Sequence, residues 1–231
     1  MSLNRRKFIV GLGAVSAVSV SGCMDMIAGD GINLSAEPAG LSEDHSTATG
    51  FTIDEYQQGA IDETVSAGDF AERDIFIEYN IISYSTEGSR PAGIMFITSG
   101  SHTIAGTEIN PIYGMSGSDL IRLASTQYDG FDDVEKVEEY DESNTQFGDI
   151  TVEEFIANAG EVAGNQINIK LYTSQVRNDD AVVGIIGYHL EEDVEDEAYI
   201  KSHFREFVQP TEMVEGREPD QIEDDQLEEE I

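Results

Sequence analysis

The chain has 231 residues, with 47 Asp and Glu against 12 Lys and Arg and a formal net charge of −35. Such a surface repels phosphate backbones, so nucleic acid is excluded as a partner of the usual electrostatic kind. The single cysteine excludes an intrachain disulfide and any Cys-rich zinc site. At 39% hydrophobic residues the chain still has enough apolar matter to bury a core, in one domain.

The charge also bears on solvent. Lysine occurs only at Lys7, Lys136, Lys170 and Lys201, and scarce lysine beside abundant Asp and Glu resembles the proteins of extreme halophiles. At about 1 M salt the Debye length is roughly 3 Å, so the repulsion that would unfold such a chain in dilute buffer is largely screened.

The first 22 residues contain no acid, and the acids begin at Asp25. Arg5 and Arg6 form a pair followed by Lys7, Phe8 and Ile9, and an apolar stretch rich in Gly, Ala, Ser and Val runs from Ile9 to Val20. That stretch is too short for a bilayer span of about 20 residues but suits the apolar region of a signal peptide. The run Asn4 to Ile9 resembles the twin-arginine export signal, whose machinery carries folded proteins. Val20-Ser21-Gly22-Cys23 resembles a lipobox, in which cleavage before the cysteine leaves it N-terminal and lipid-modified. Residues 1–22 are therefore expected to be a twin-arginine lipoprotein signal peptide, with Cys23 lipidated. Residues 23–31 are read as a linker between the lipid and the fold. Removal of the signal leaves nine basic against 47 acidic residues, a net −38.

The expected domain covers residues 32–209. Ile32 to Ala36 reads as an edge strand stopped by Pro38 and Gly40, and Asn33-Leu34-Ser35 is a glycosylation sequon that lies outside the cell if the signal is correct. Leu41 to Gly68 shows weak periodicity, with one helix expected from Thr52 to Gln58. From Asp74 to Ile81 apolar residues alternate, which predicts a half-buried strand. Gly93 to Thr98 is a nearly continuous apolar run, hence a central strand, and Ile104 to Ile109 a short one. Ser118 or Ser116 caps a helix with Leu120, Leu123, Ala124 and Tyr128 on its apolar face. Val134 to Tyr140, Ile150 to Ala157, Ile167 to Thr173 and Ala181 to Leu190 read as further strands. The last is apolar on both faces and so central. Asp193 to Val208 is helical, and residues 210–231, with ten acids, predict a disordered tail. The element order gives an α+β fold: a single domain with helices packed on an antiparallel sheet.

No catalytic constellation emerges. Ser101-His102 places a hydroxyl beside an imidazole, but neighbours on a turn rarely face one another. His45, His102, His189 and His203 lack metal-ligand spacing, although His189 and His203 could meet in space. Adjacent carboxylates such as Asp132-Asp133, Glu153-Glu154 and Glu191-Glu192 arise by chance in so acidic a chain and carry no glycosidase signal. No metal and no cofactor is expected.

The twin-arginine lipobox segment, Ile32 to Pro38, Gly106 to Pro111, the helix Ser118 to Tyr128, and the strand Val183 to Leu190 with its following helix together resemble an uncharacterised family of haloarchaeal lipoproteins. The element order also resembles single-sheet domains of the photosystem oxygen-evolving accessory kind and the nuclear-transport-factor-binding kind. The expectation is a non-enzymatic surface lipoprotein, anchored on the extracellular face of the cell membrane through Cys23, that binds or assists an envelope or membrane protein. The alternatives are a surface hydrolase, which would need His102, His189 or His203 to assemble with a serine or an acid, and a transporter-associated solute-binding lipoprotein.

Overall fold

The computed structural model describes residues 32–65, 73–86, 92–104, 107–125, 132–162, 165–178 and 180–222. In chain order these form β1 (Ile32–Leu34), β2 (Gly40–Leu41), α1 (Glu43–Thr49), β3 (Phe51–Val65), β4 (Arg73–Thr86), β5 (Gly93–Gly100), β6 (His102–Ile104), β7 (Thr107–Ile109), α2 (Gly117–Ser125), β8 (Asp132–Asn144), β9 (Gly148–Val162), β10 (Asn165–Asn178), β11 (Ala181–Leu190), α3 (Val194–Glu206), β12 (Phe207–Val208), a 3-10 turn (Glu212–Val214) and β13 (Asp220–Gln221).

Nine strands make one sheet in the order β13-β3-β4-β5-β11-β10-β9-β8, with β1 paired to β4. Two antiparallel meanders, β3-β4-β5 and β8-β9-β10-β11, meet where β5 and β11 pair antiparallel from Ala181 opposite Gly100 to Tyr188 opposite Gly93. The two continuous apolar runs are thus neighbours at the centre, where both faces of each strand are covered. Every residue of β5 is buried.

The expected α+β fold is overturned. The chain is β-rich: one large sheet with three short helices of 7, 9 and 13 residues. The sheet is mixed rather than antiparallel, because β1 runs parallel to β4 and β13 parallel to β3. Much of the discrepancy lies in residues 51–65. The helix expected at Thr52 to Gln58 is part of a 15-residue strand that pairs with β4 from Phe51 opposite Thr86 to Val65 opposite Arg73. Its strand-favouring residues (Phe51, Ile53, Tyr56, Ile61, Val65) are spaced by acids, glutamines and a glycine that blur the period, and the backbone ladder offered by β4 settles the extended form. β8 likewise continues beyond the expected strand end at Tyr140, through Asp141 to Asn144.

The core lies on both faces of the sheet. On one, Ile82, Tyr84, Phe96, Tyr172 and Val183 pack under Ile200 and Phe204 of α3 and Phe207 of β12. On the other, Ile81, Met95, Ile97, Val182 and Ile186 lie under Ile112, Leu120 and Ala124, and Phe155, Ala157, Ile169 and Leu171 under Ile121. Side chains buried this fully each contribute roughly 1.5–3 kcal/mol of transfer free energy. Ser116 opens α2: its Oγ accepts from Asp119 N at 3.2 Å, and Asp119 Oδ2 accepts from Ser116 N at 3.2 Å, a reciprocal cap. The chain is ordered well past Pro210, against the expected start of a tail there. Thr211 Oγ1 donates to Leu41 O at 2.7 Å, Val214 enters the core, and β13 pairs with β3 at Gln57 and Gln58. Residues 223–231 of that expected tail lie outside the described residues.

Candidate functional site

Arg5, Arg6 and Cys23 lie outside the described residues. Asn33 is in the middle of β1, opposite Phe76, and is exposed between partly buried Ile32 and buried Leu34. Two carboxylates singled out as a chance pair, Glu153 and Glu154, point to opposite faces of β9. Glu153 accepts from Gly117 N at the start of α2 at 2.8 Å and pairs with Lys136. Glu154 is buried on the α3 side.

Ser101 and His102 do not engage one another. Ser101 Oγ bonds Glu108, which also takes Thr103 and Arg177 and so ties the β6-β7 hairpin to the end of β10. His189 and His203, which the sequence allowed to meet, pair with other partners instead. Tyr172 Oη and His189 Nε2 are 3.2 Å apart, and His189 Nδ1 and Leu190 O 2.6 Å, so the ring donates through Nδ1 and accepts the tyrosine proton. His203 instead meets His45 of α1, with Nδ1 and Nε2 2.8 Å apart, and Phe51 lies edge-on to its ring. Burial, followed by the charge of His45, holds the His203 pKa down to about 3. Burial also lowers that of His45, against the pull of Glu206. Ser202 Oγ is 3.4 Å from His45 Nε2 but donates to Tyr199 O at 2.7 Å. A serine whose proton is committed to a carbonyl, beside a histidine whose nearest partner is another histidine, lacks the arrangement of a nucleophile and its base.

The densest group of charges joins α3 to the sheet. Lys170 Nζ lies 3.2 Å from Glu154 and 3.3 Å from Glu197; Lys201 Nζ lies 3.8 Å from Glu154 and 2.8 Å from Glu197. Each carboxylate faces two ammoniums and each ammonium two carboxylates, a closed square. Lys201 also sits 5.3 Å from the Tyr140 ring centroid and 5.5 Å from that of Tyr172. Burial opposes the charge on Lys170, yet the bonds to Glu154 and Glu197 raise its pKa on balance. Lys201 is the leading cause of a lowered pKa at Glu197. Burial, then Glu154, drives the hydroxyl pKa values of Tyr140 and Tyr172 far upward. An ammonium held charged and phenols held neutral supply neither nucleophile nor base, so the square is a clamp.

An open cleft remains, of about 520 Å³, between α1, the start of β3 and the 3-10 turn, lined by Glu43, Ser46, Thr47, Gly50, Thr52, Glu212, Met213 and Arg217. Its walls come from both ends of the described chain. Ser46 Oγ donates to Phe51 O at 2.5 Å, β2 pairs with β12, and Thr211 holds Leu41. Gly50 closes α1 at φ +74°, a conformation that costs a residue with Cβ, and a Cβ there would meet nothing within 4 Å. The cleft had no signal in the sequence, because its lining residues are ordinary surface types that only the meeting of the two chain ends assembles.

Among the described residues, no group of three or more His, Cys, Asp or Glu is arranged to hold a metal ion, and no helix is long and apolar enough to cross a membrane. The profile of one family, described as a domain of unknown function (DUF6517), matches residues 38–208. No curated protein and no solved structure matches the chain, so the fold-level likeness to photosystem accessory and nuclear-transport-factor-binding domains finds no support.

Proposed function

The chain belongs to the DUF6517 family, and on that premise we propose that it is a lipid-anchored surface lipoprotein of a halophilic archaeon with a non-catalytic binding or accessory role. The observation that carries the reading is the order of signals in residues 5–23: Arg5-Arg6, a short apolar stretch, then Val20-Ser21-Gly22-Cys23 before any acid. Residues 23–31 can reach at most ~30 Å when extended, so a lipid on Cys23 would keep the domain beginning at Ile32 close to the bilayer. Two chains on that cysteine are needed for stable anchoring, since the mature sequence offers no basic cluster to add electrostatic attraction. Export of a folded protein requires any glycan acceptor to be accessible after folding, and the exposure of Asn33 is compatible with that. A second reading, a solute-binding lipoprotein serving a transporter, is favoured by the cleft beside Arg217.

The test is fractionation of the full-length protein in its host. Cys23→Ser is expected to move the protein from membranes to the medium or leave it unprocessed, and Arg5→Lys with Arg6→Lys to block export. Unchanged membrane association of the cysteine variant would overturn the anchor.

A further inference from the structure

We propose that the cleft between α1, β3 and the 3-10 turn binds a small zwitterionic carboxylate, either an α-amino acid or a short peptide. Arg217 holds its carboxylate, and Glu43 and Glu212 face its ammonium.

Arg217 carries the argument. Every other Lys or Arg whose side chain is described lies within 4.0 Å of a carboxylate: Arg122, Lys136, Lys170, Arg177, Lys201 and Arg205. Arg217 forms no ion pair among the described residues, although the chain has 47 acids and two of them line the same cleft. A guanidinium that no described carboxylate engages is available to an exogenous one, which its planar fork can take by two parallel hydrogen bonds. A dianion such as phosphate is disfavoured by Glu43 and Glu212. A molecule with an ammonium beside its carboxylate satisfies all three charges at contact distance, where salt screens least. Thr47 and Thr52 add hydroxyls, and Met213 an adaptable apolar surface. The walls are already held by Ser46 with Phe51 and Thr211 with Leu41, and α1 is docked on α3 through His45 with His203, so little ordering is left to pay for on binding. This inference rests on the binding half of the proposed function and not on the anchor. A Cys23→Ser chain that leaves the membrane but titrates normally would separate the two.

The experiment is calorimetric titration of the full-length chain in detergent and multi-molar KCl with L-alanine and with trialanine. N-acetyl-L-alanine, L-alaninamide and inorganic phosphate serve as single-charge and dianion controls. Saturable binding of a zwitterion is expected, reduced about tenfold or more by Arg217→Ala and less by Arg217→Lys, which lacks the fork. Glu212→Gln is expected to weaken zwitterion binding while improving that of N-acetyl-L-alanine. The tighter of the two zwitterions distinguishes free amino acid from peptide. Absence of saturable binding by both, equal binding of phosphate, or unchanged affinity in the Arg217→Ala variant would overturn the proposal.

Discussion

Among single residues, His203 is the most consequential titratable group. It is fully buried, faces His45 and Phe51, and has its pKa held at about 3 by burial and by the neighbouring imidazole. In the unfolded chain it titrates near 6.5. Between those values the unfolded state therefore binds a proton that the native state refuses, so stability is fully present above pH ~6.5 and is lost as pH falls toward 3. The loss from this residue alone is on the order of 4 kcal/mol by pH 3. His45 and His189, also lowered by burial, act in the same direction. So do Glu142, lowered by Arg205, and Glu197, lowered by Lys201. Urea unfolding at fixed KCl from pH 7.5 to 4 is expected to show declining stability, with a shallower decline for His203→Phe. An unchanged slope in that variant would remove His203 from the account. The sequence showed four scattered histidines and suggested only that His189 and His203 could meet, because partners 158 residues apart such as His45 and His203 come together only through the docking of α1 on α3.

For the elements, two junctions decide the architecture. β1 lies alongside the part of β4 that extends past β5, with Ile32 opposite Ile75, and its backbone passes so close to Gly100 that a Cβ there would meet Leu34 C and Ser35 N at 2.6 Å. Gly100→Ala is expected to displace β1 and cost about 2–3 kcal/mol, the scale of overpacking against an unyielding neighbour. Unchanged thermal stability in that variant would show that β1 yields freely. The second junction is the clamp of Lys170, Glu154, Lys201 and Glu197. Glu154 is 5% exposed while both lysines are partly open, so screening discounts the pairs and Glu154→Gln is expected to cost about 2 kcal/mol rather than the full cost of a broken buried pair. A double-mutant cycle with Lys201→Met measures the coupling, and a coupling near zero would reduce the square to an incidental surface cluster. The strand Ile32 to Ala36, the two central strands and the capped helix were all legible from alternation, apolar runs and capping residues. β3 was not, since its residues satisfy no period strongly and its conformation is imposed by fourteen residues of β4.

At the scale of the molecule, net charge and salt are inseparable. Every cation whose side chain is described, other than Arg217, is engaged in an ion pair, and most of the acids whose burial is described lie on exposed positions such as those of β8, whose residues 133 to 139 are all exposed. A folded state this negative is expected to lose its structure as KCl falls from multi-molar to dilute, because the Debye length grows from roughly 3 Å at 1 M to about 30 Å at 0.01 M and repulsion across the sheet is no longer screened. Circular dichroism across that range checks it, and a fold fully stable in dilute buffer would contradict the halophilic reading. The same charges guard the open edge of the sheet. β8 carries acids on both faces and register shifts at Asp132/Glu135 and Lys136/Glu138, which discourage pairing with a further strand.

Composition and linear order carry the whole of the proposal about the chain's surroundings. Acid excess, scarce lysine and the succession Arg5-Arg6, apolar stretch, Cys23 are properties of residues read one after another, and no packing is needed to state them. The hydrophobic periods were likewise enough to place the central strands, because burial on both faces leaves a continuous apolar run. Fold class and binding cleft required three dimensions. Whether residues 51–65 coil or extend depends on a ladder of hydrogen bonds with another segment, and the cleft exists because residues 43–52 and 212–217 are brought together by the pairing of β2 with β12. Neither is a local quantity, since both depend on contacts between segments far apart in the chain.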